Sequence, residues 1–293
     1  MDHSVSATAA VPDLSHRAGY DPRFLSPGPA VPLPVPRDGA EVVVLPYTHF
    51  SVVHRPDRRL AAATVVAVDG AELVDVPRSG DAWFLDPRLA PDEQAGAQLY
   101  ARNDFDRGHL VRRRDPGWGP EAARANADTF SYTNAAPQAS RFNQAVELWL
   151  GLEDHVLGYA RQWGQRLVVV TGPVFAADDP EYRGVRIPRR FYKVAAYLRP
   201  GDDGEVSVLA SAGFVLDQTP LVEQIVGAPQ AQDVPELGGF RTFQVPVEDV
   251  AELTALDLGP LVAADRLPVL VPAAVGEPVP AWRPLAGAGD LLL

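Results

Sequence analysis

The stretch Asn103-Asp104-Phe105-Asp106-Arg107-Gly108-His109-Leu110-Val111-Arg112-Arg113 decides how this chain is read. Its middle, FDRGHLVR (105–112), alternates closely enough to predict a strand. After it comes RRDPGWGPEAARANA (113–127), a Pro/Gly excursion with a short helical piece. DTFSYTNAAP (128–137), rich in β-branched and aromatic residues, predicts the next strand. From Ser140 to Trp163 runs the clearest helical period in the chain. Val146, Leu150, Val156 and Tyr159 lie near one face, and Leu148, Leu152 and Leu157 widen it. The local order is therefore strand, excursion, strand, helix.

Outward from this centre, strands dominate. EVVVLPYTHFSVVH and RRLAAATVVAVDG predict two strands joined by the turn Arg55–Pro56–Asp57–Arg58. RLVVVTGPVF, RRFYKVAAYLRP and EVSVLASAGFVL predict three more. A final helix, PVEDVAELTAL, is expected to end at Gly259. With few helices and no βαβ alternation, the pattern predicts an α+β fold. Residues 1–40 read as a Pro/Ala-rich arm anchored by Tyr20, Phe24 and Leu25. Residues 41–270 read as the main domain and 271–293 as an irregular tail.

Composition excludes several classes of function. The 293 residues contain no Cys, so disulfides, thiolate metal sites and Cys nucleophiles are out. No run approaches the ~20 apolar residues of a membrane-spanning helix, so no membrane partner is expected. The N-terminus lacks the basic start and apolar block of a secretory signal. A cytoplasmic location or export by a non-classical route is the expectation. There is no HExxH, no G-x-S-x-G elbow, no P-loop and no G-x-G-x-x-G. The net charge of −12 argues against a polyanionic partner, yet the window from Arg102 to Arg114 carries +3.

That window supplies the remaining chemistry. His109 stands beside Arg107 and Asp106, and Asn134, Gln138 and Asn143 follow. Hydrolysis of a phosphodiester needs a base for water, and imidazole, with a pKa of ~6.5, suits that role. Arg and a hard divalent cation stabilise the charge of the transition state. Magnesium keeps most of its water and needs only one or two protein oxygens, so a single Asn carbonyl is enough. Taken singly, each residue also has a bland reading: a structural His, a solvated Arg run, an Asn cap or turn.

The ordered set resembles the DNA/RNA non-specific endonucleases. Asp106-Arg107-Gly108-His109 is similar to that family's D-R-G-H signature. It is followed in order by Thr133-Asn134-Ala135-Ala136-Pro137-Gln138, Phe142-Asn143-Gln144 and Leu148-Trp149-Leu150-Gly151-Leu152-Glu153-Asp154. Thr171-Gly172-Pro173-Val174-Phe175 and Phe191-Tyr192-Lys193-Val194 extend the match, which runs from about Val42 to Asp265. The resemblance implies a ββα-metal (His-Me finger) nuclease core with a mixed, largely antiparallel sheet flanked by helices.

It implies a hydrolase of DNA and RNA that leaves 5′-phosphate ends, with His109 as general base. Asn143 would be the ligand of Mg²⁺, for which Mn²⁺ substitutes, and Glu153 would act through a metal-bound water. Arg107 and Arg78 would hold the scissile phosphate, with Arg112 and Gln138 also on the substrate. Asn134 would orient the site and Asp106 would support it from behind. Two positions have competitors. Glu153 lies 10 residues beyond Asn143, ~15 Å of helical rise and about −80° of rotation, which leaves Glu147 as an alternative. Arg88 competes with Arg78. A homodimer and an inhibitor or immunity protein are further candidate partners. The alternatives to a free nuclease are a catalytically silent binding module and an immunity-restrained toxin-like effector.

Overall fold

The computed structural model describes residues 12–78, 82–140, 157–201, 207–227, 241–267, 282–285 and 290–291. Its strands are, in chain order, β1 (Val35–Pro36), β2 (Val43–Pro46), β3 (Phe50–Arg55), β4 (Leu60–Asp69), β5 (Phe105–His109), β6 (Ala135–Ala139), β7 (Arg166–Val174), β8 (Glu181–Tyr182), β9 (Val185–Arg186), β10 (Arg190–Pro200), β11 (Ser207–Asp217), β12 (Arg241–Val245), β13 (Leu256–Asp257) and β14 (Arg283–Leu285). Eight of them form one sheet in the order β14-β12-β11-β10-β7-β4-β3-β2. Every neighbouring pair in it is antiparallel.

The central strands explain their own placement. All ten residues of β4, LAAATVVAVD, are buried, as a strand covered on both faces requires. The strand period divides their side chains between two cores. Val66, Val68, Leu167, Val169 and Phe191 face one core, together with Phe84, Leu110, Val111 and Ala136. Val65, Ala67, Val168, Val170 and Tyr192 face the other, with Tyr20, Leu25, Val31, Val247 and Val250. The segment around His109 therefore rests on one face of the sheet. Tyr20, Leu25 and Val31 of the N-terminal arm and the helix Val247–Thr254 cover the opposite face, while Leu14 packs on the face that carries His109.

Several local expectations need correction. EVVVLPYTHFSVVH is not one strand but the hairpin β2–β3, reversing at Tyr47–His49. His49 takes a left-handed φ of 67°, and no Gly occupies that turn, which Pro46 immediately precedes. A remote carboxylate holds it: Thr48 N and Oγ1 both donate to Asp128 Oδ2, at 3.0 and 2.7 Å. In DTFSYTNAAP, Tyr132–Asn134 form a 3₁₀ turn capped by the Ser131 side chain, and β6 begins only at Ala135. The last helix stops at Thr254 rather than Gly259. Ala255 turns left-handed at φ 53° so that buried Leu256 can pair with Pro36 of β1. The tail contributes β14, which pairs with β12 at the sheet edge. Of the long helix expected from Ser140 to Trp163, residues 157–163 are helical and 141–156 lie outside the described residues. Among the described residues no helix is long and apolar enough to cross a membrane.

Candidate active site

Strands β5 and β6 form a separate antiparallel pair, with Asp106 opposite Gln138, Arg107 opposite Pro137 and His109 opposite Ala135. Residues two apart on a strand share a face, so Arg107 and His109 project together. Gly108 lies between them. A β-carbon there would sit 2.1 Å from Gln138 Cδ, so the buried Gln138 side chain lies across a position that only glycine leaves open.

The strand leaves His109 through a tight clamp. Asn134 is 0% exposed. Its Oδ1 accepts from Val111 N at 2.9 Å, and its Nδ2 donates to Val111 O and Thr129 O, both at 2.9 Å. Leu110 N donates to Asn134 O at 2.9 Å. These bonds turn its side chain to the backbone that carries His109, and it does not line the cavity. Asn134→Ala leaves three buried backbone groups without their partner, at about 1–3 kcal/mol each. A loss of about 3 kcal/mol or more is expected from the urea midpoint. A change below about 1 kcal/mol would contradict this role.

Trp83, which no motif or periodicity in the sequence marks, is the wall on which the face is built. Its ring centroid lies 4.7 Å from that of His109, and Phe130 meets the imidazole edge-on at 5.1 Å. The Arg107 guanidinium lies over the same indole at 5.2 Å, a cation–π arrangement. Tyr132 packs on Trp83 at 5.6 Å. Backbone bonds fix this wall: Phe84 N donates to Phe130 O at 3.1 Å and Tyr132 N to Phe84 O at 2.9 Å. The only sequence signal for Trp83 was an isolated aromatic in a loop-rich stretch.

These side chains open onto a half-open cavity of about 670 Å³. Arg78, Trp83, Tyr100, Asp106, Arg107 and His109 are among the residues that line it. Arg78 and Arg107 are exposed, and His109 is half-buried. Burial pushes the Tyr100 phenol up, so its hydroxyl stays protonated at the cavity wall. Arg88 is elsewhere. Its Nε and Nη2 bind both oxygens of Asp86 at 2.9 and 2.7 Å, and Nη1 donates to Pro46 O at 2.8 Å. Burial pushes the Asp86 carboxyl up, but hydrogen bonds from Arg88 and Tyr47 outweigh it and hold the group below its ordinary value. Arg88 is thus committed to a structural ion pair, and Arg78 is the arginine of the two that reaches the cavity. Arg112 and Gln138 are not among the cavity's lining residues.

Asp106 ties the hairpin to the segment that follows β6. Ser140 Oγ donates to Asp106 Oδ1 at 3.1 Å and to Asp104 O at 2.8 Å. Ser140 precedes Asn143, which with Glu147 and Glu153 lies outside the described residues. Among the described residues no group of three or more His, Asp or Glu is arranged to hold a metal ion. Among the described residues Asp106 brings a carboxylate to the cavity lining, and carboxylate oxygen is the hard type of donor that suits a largely hydrated divalent ion.

A large antiparallel sheet with few helices, carrying a separate strand pair with Arg and His side by side on one face, is a mixed α+β architecture. The chain belongs to the DNA/RNA non-specific endonuclease family, whose model it matches over residues 31–265. Its structure is similar to a chain in the crystal structure of the EndoG/EndoGI complex. That likeness has a TM-score of 0.53 and 21% identity, over 73% of this chain and 84% of that one, and it bears on the fold alone. The uncharacterized protein y4fB of Sinorhizobium fredii (strain NBRC 101917 / NGR234) is 40% identical over 230 residues, covering 74% of this chain. The chain spans about a third (34%) of the length of that relative.

Proposed function

We propose that this chain is a metal-dependent endonuclease that hydrolyses phosphodiester bonds of DNA and RNA with little sequence preference. The observation that carries this reading is the shared face of Arg107 and His109, both braced on Trp83, at a cavity that Arg78 also lines. In the proposed reaction His109 takes the proton of the attacking water as its oxygen bonds to phosphorus. Arg107 and Arg78 hold the non-bridging oxygens, where negative charge gathers. The bond from phosphorus to the 3′ oxygen breaks, the leaving oxygen takes a proton from solvent, and the phosphate stays on the 5′ end. Gln138 and Asn134 keep β5 in place, and Asp106 holds the start of the segment leading to Asn143.

Asn143, with Glu153 through water, would hold Mg²⁺, for which Mn²⁺ substitutes. The bound ion would supply charge stabilisation at the leaving oxygen. Little sequence preference follows because guanidinium and imidazole groups address the phosphate, which carries no base information. A proteinaceous inhibitor is a candidate partner, since the structural neighbour comes from the EndoG/EndoGI complex, in which EndoG is inhibited.

End analysis of digested DNA and RNA tests the reaction. Cleavage is expected with Mg²⁺ and not with EDTA, and its products should accept a 5′ label only after phosphatase treatment. Products with 3′-phosphate ends, or undiminished cutting in EDTA, would overturn it.

A further inference from the structure

Three arginines with an unusual backbone conformation stand next to the segment that lines the His109 cavity, outside the lining itself. Five non-glycine residues have positive φ among the described residues, and three are arginines: Arg59 (59°), Arg102 (52°) and Arg183 (51°). A long side chain is disfavoured there, and such strain concentrates where function needs it. Arg183 and Gly184 form the turn between β8 and β9, with φ of 51° and 74°. That geometry usually recruits Asn-Gly.

The three positions are contiguous. Arg102 follows Ala101, which lines the His109 cavity with Tyr100. Arg183 Nη1 donates to Ala101 O at 2.6 Å and to Gln98 O at 2.8 Å. Arg59 Nη1 donates to Gly184 O at 3.3 Å, and Nη2 to Gln94 O at 2.8 Å. Beyond Arg59 opens a second cavity of about 390 Å³, lined also by Arg58, Arg186, Asp57 and Glu181.

The charges along this line are not cancelled. Arg58 is paired with Asp179 and Asp57 with Arg55. The recorded bonds of Arg59 and Arg183 go to backbone carbonyls, which satisfy N–H groups without removing a unit charge. Glu181, across from Arg186 in β8–β9, and Asp104, two residues after Arg102, are carboxylates along the same line, and neither has a salt bridge to Arg59, Arg102 or Arg183 among the described residues. In a chain of net charge −12, a row of guanidinium groups without carboxylate partners of their own, leading away from the His109 cavity, suits an extended polyanion.

We propose that Arg102, Arg183 and Arg59 form a phosphate track that binds the backbone of the substrate strand beyond the nucleotides at the scissile bond. This rests on the nuclease reading above. The track adds affinity for long strands and no base preference, because its contacts are to phosphate. It also explains why arginine occupies positions where glycine would be less strained.

The test is the affinity of His109→Ala protein, which holds the strand without cutting it, for a labelled single-stranded oligonucleotide over a salt series. Arg102→Gly relieves a left-handed residue, so its thermal midpoint should equal or exceed that of the parent. Its dissociation constant should nevertheless rise about 3- to 10-fold, with a salt slope shallower by about 0.7 for the lost contact. Arg102→Lys should recover most of the affinity, and Arg37→Gln, which removes the same charge beside β1, should change it less than about twofold. Arg102→Gly binding with parental affinity and slope overturns the track while leaving the nuclease reading intact. A parent that binds no oligonucleotide at all overturns both.

Discussion

Replacing His109 with alanine is expected to lower the turnover of DNA and RNA by about 10²- to 10⁴-fold, the usual contribution of a positioned general base. Water is a poor nucleophile toward a phosphodiester, and no other described imidazole lines this cavity. His49 Nδ1 donates to Pro116 O at 2.9 Å, and His54 Nε2 donates to Glu93 O at 2.8 Å. Burial pushes the pKa of both below the ordinary histidine value. The loss should appear in kcat, since the imidazole acts on water rather than on bound phosphate. Folding should be little affected, because Trp83 keeps Phe130 and Tyr132 as neighbours at 5.5 and 5.6 Å. A folded His109→Ala protein with more than a tenth of wild-type turnover would remove His109 from the mechanism.

Arg107→Ala should cost about 10²- to 10³-fold, the usual effect of deleting one donor to a developing oxyanion. Arg107 is exposed and its guanidinium carbon lies over the Trp83 ring at 5.2 Å, so its removal sacrifices little core packing. Arg107→Lys is expected to recover only part of the loss. The ammonium keeps the charge but has neither the planar fork nor the stacking surface of arginine. Full recovery by lysine would mean that a point charge suffices and that the Trp83 contact is incidental. An alanine variant within about threefold of wild type would exclude a phosphate role.

What the sequence made legible was what short-range pattern controls. Alternation in FDRGHLVR and the continuous apolar run of β4 are local consequences of one-sided and two-sided burial; β4 formed where expected, and β5 formed over Phe105–His109, ending three residues short of the expected strand. Elements set by distant partners were not legible. The Tyr47–His49 reversal depends on Asp128, 80 residues away in sequence. The helix stop at Ala255 depends on β1. The choice between Arg78 and Arg88 turned on a local feature read too lightly: Asp86, two residues before Arg88, captures its guanidinium. Asn134 was grouped with the chemistry, whereas its hydrogen bonds are spent on backbone. Trp83 carried no periodic signal, and its importance lies in contacts with Arg107 and His109, more than 20 residues further along the chain. Asn143 and Glu153 lie outside the described residues, and their roles stand as proposals from the resemblance.

Plasmid nicking by the purified chain in Mg²⁺ and in EDTA, beside folded His109→Ala, tests the central claim most directly. The account predicts conversion of supercoiled DNA to nicked and then linear forms with Mg²⁺ only, and essentially none with the variant. A wild-type chain inert toward DNA and RNA in Mg²⁺, Mn²⁺ and Ca²⁺, or cutting that survives the loss of His109, would contradict it.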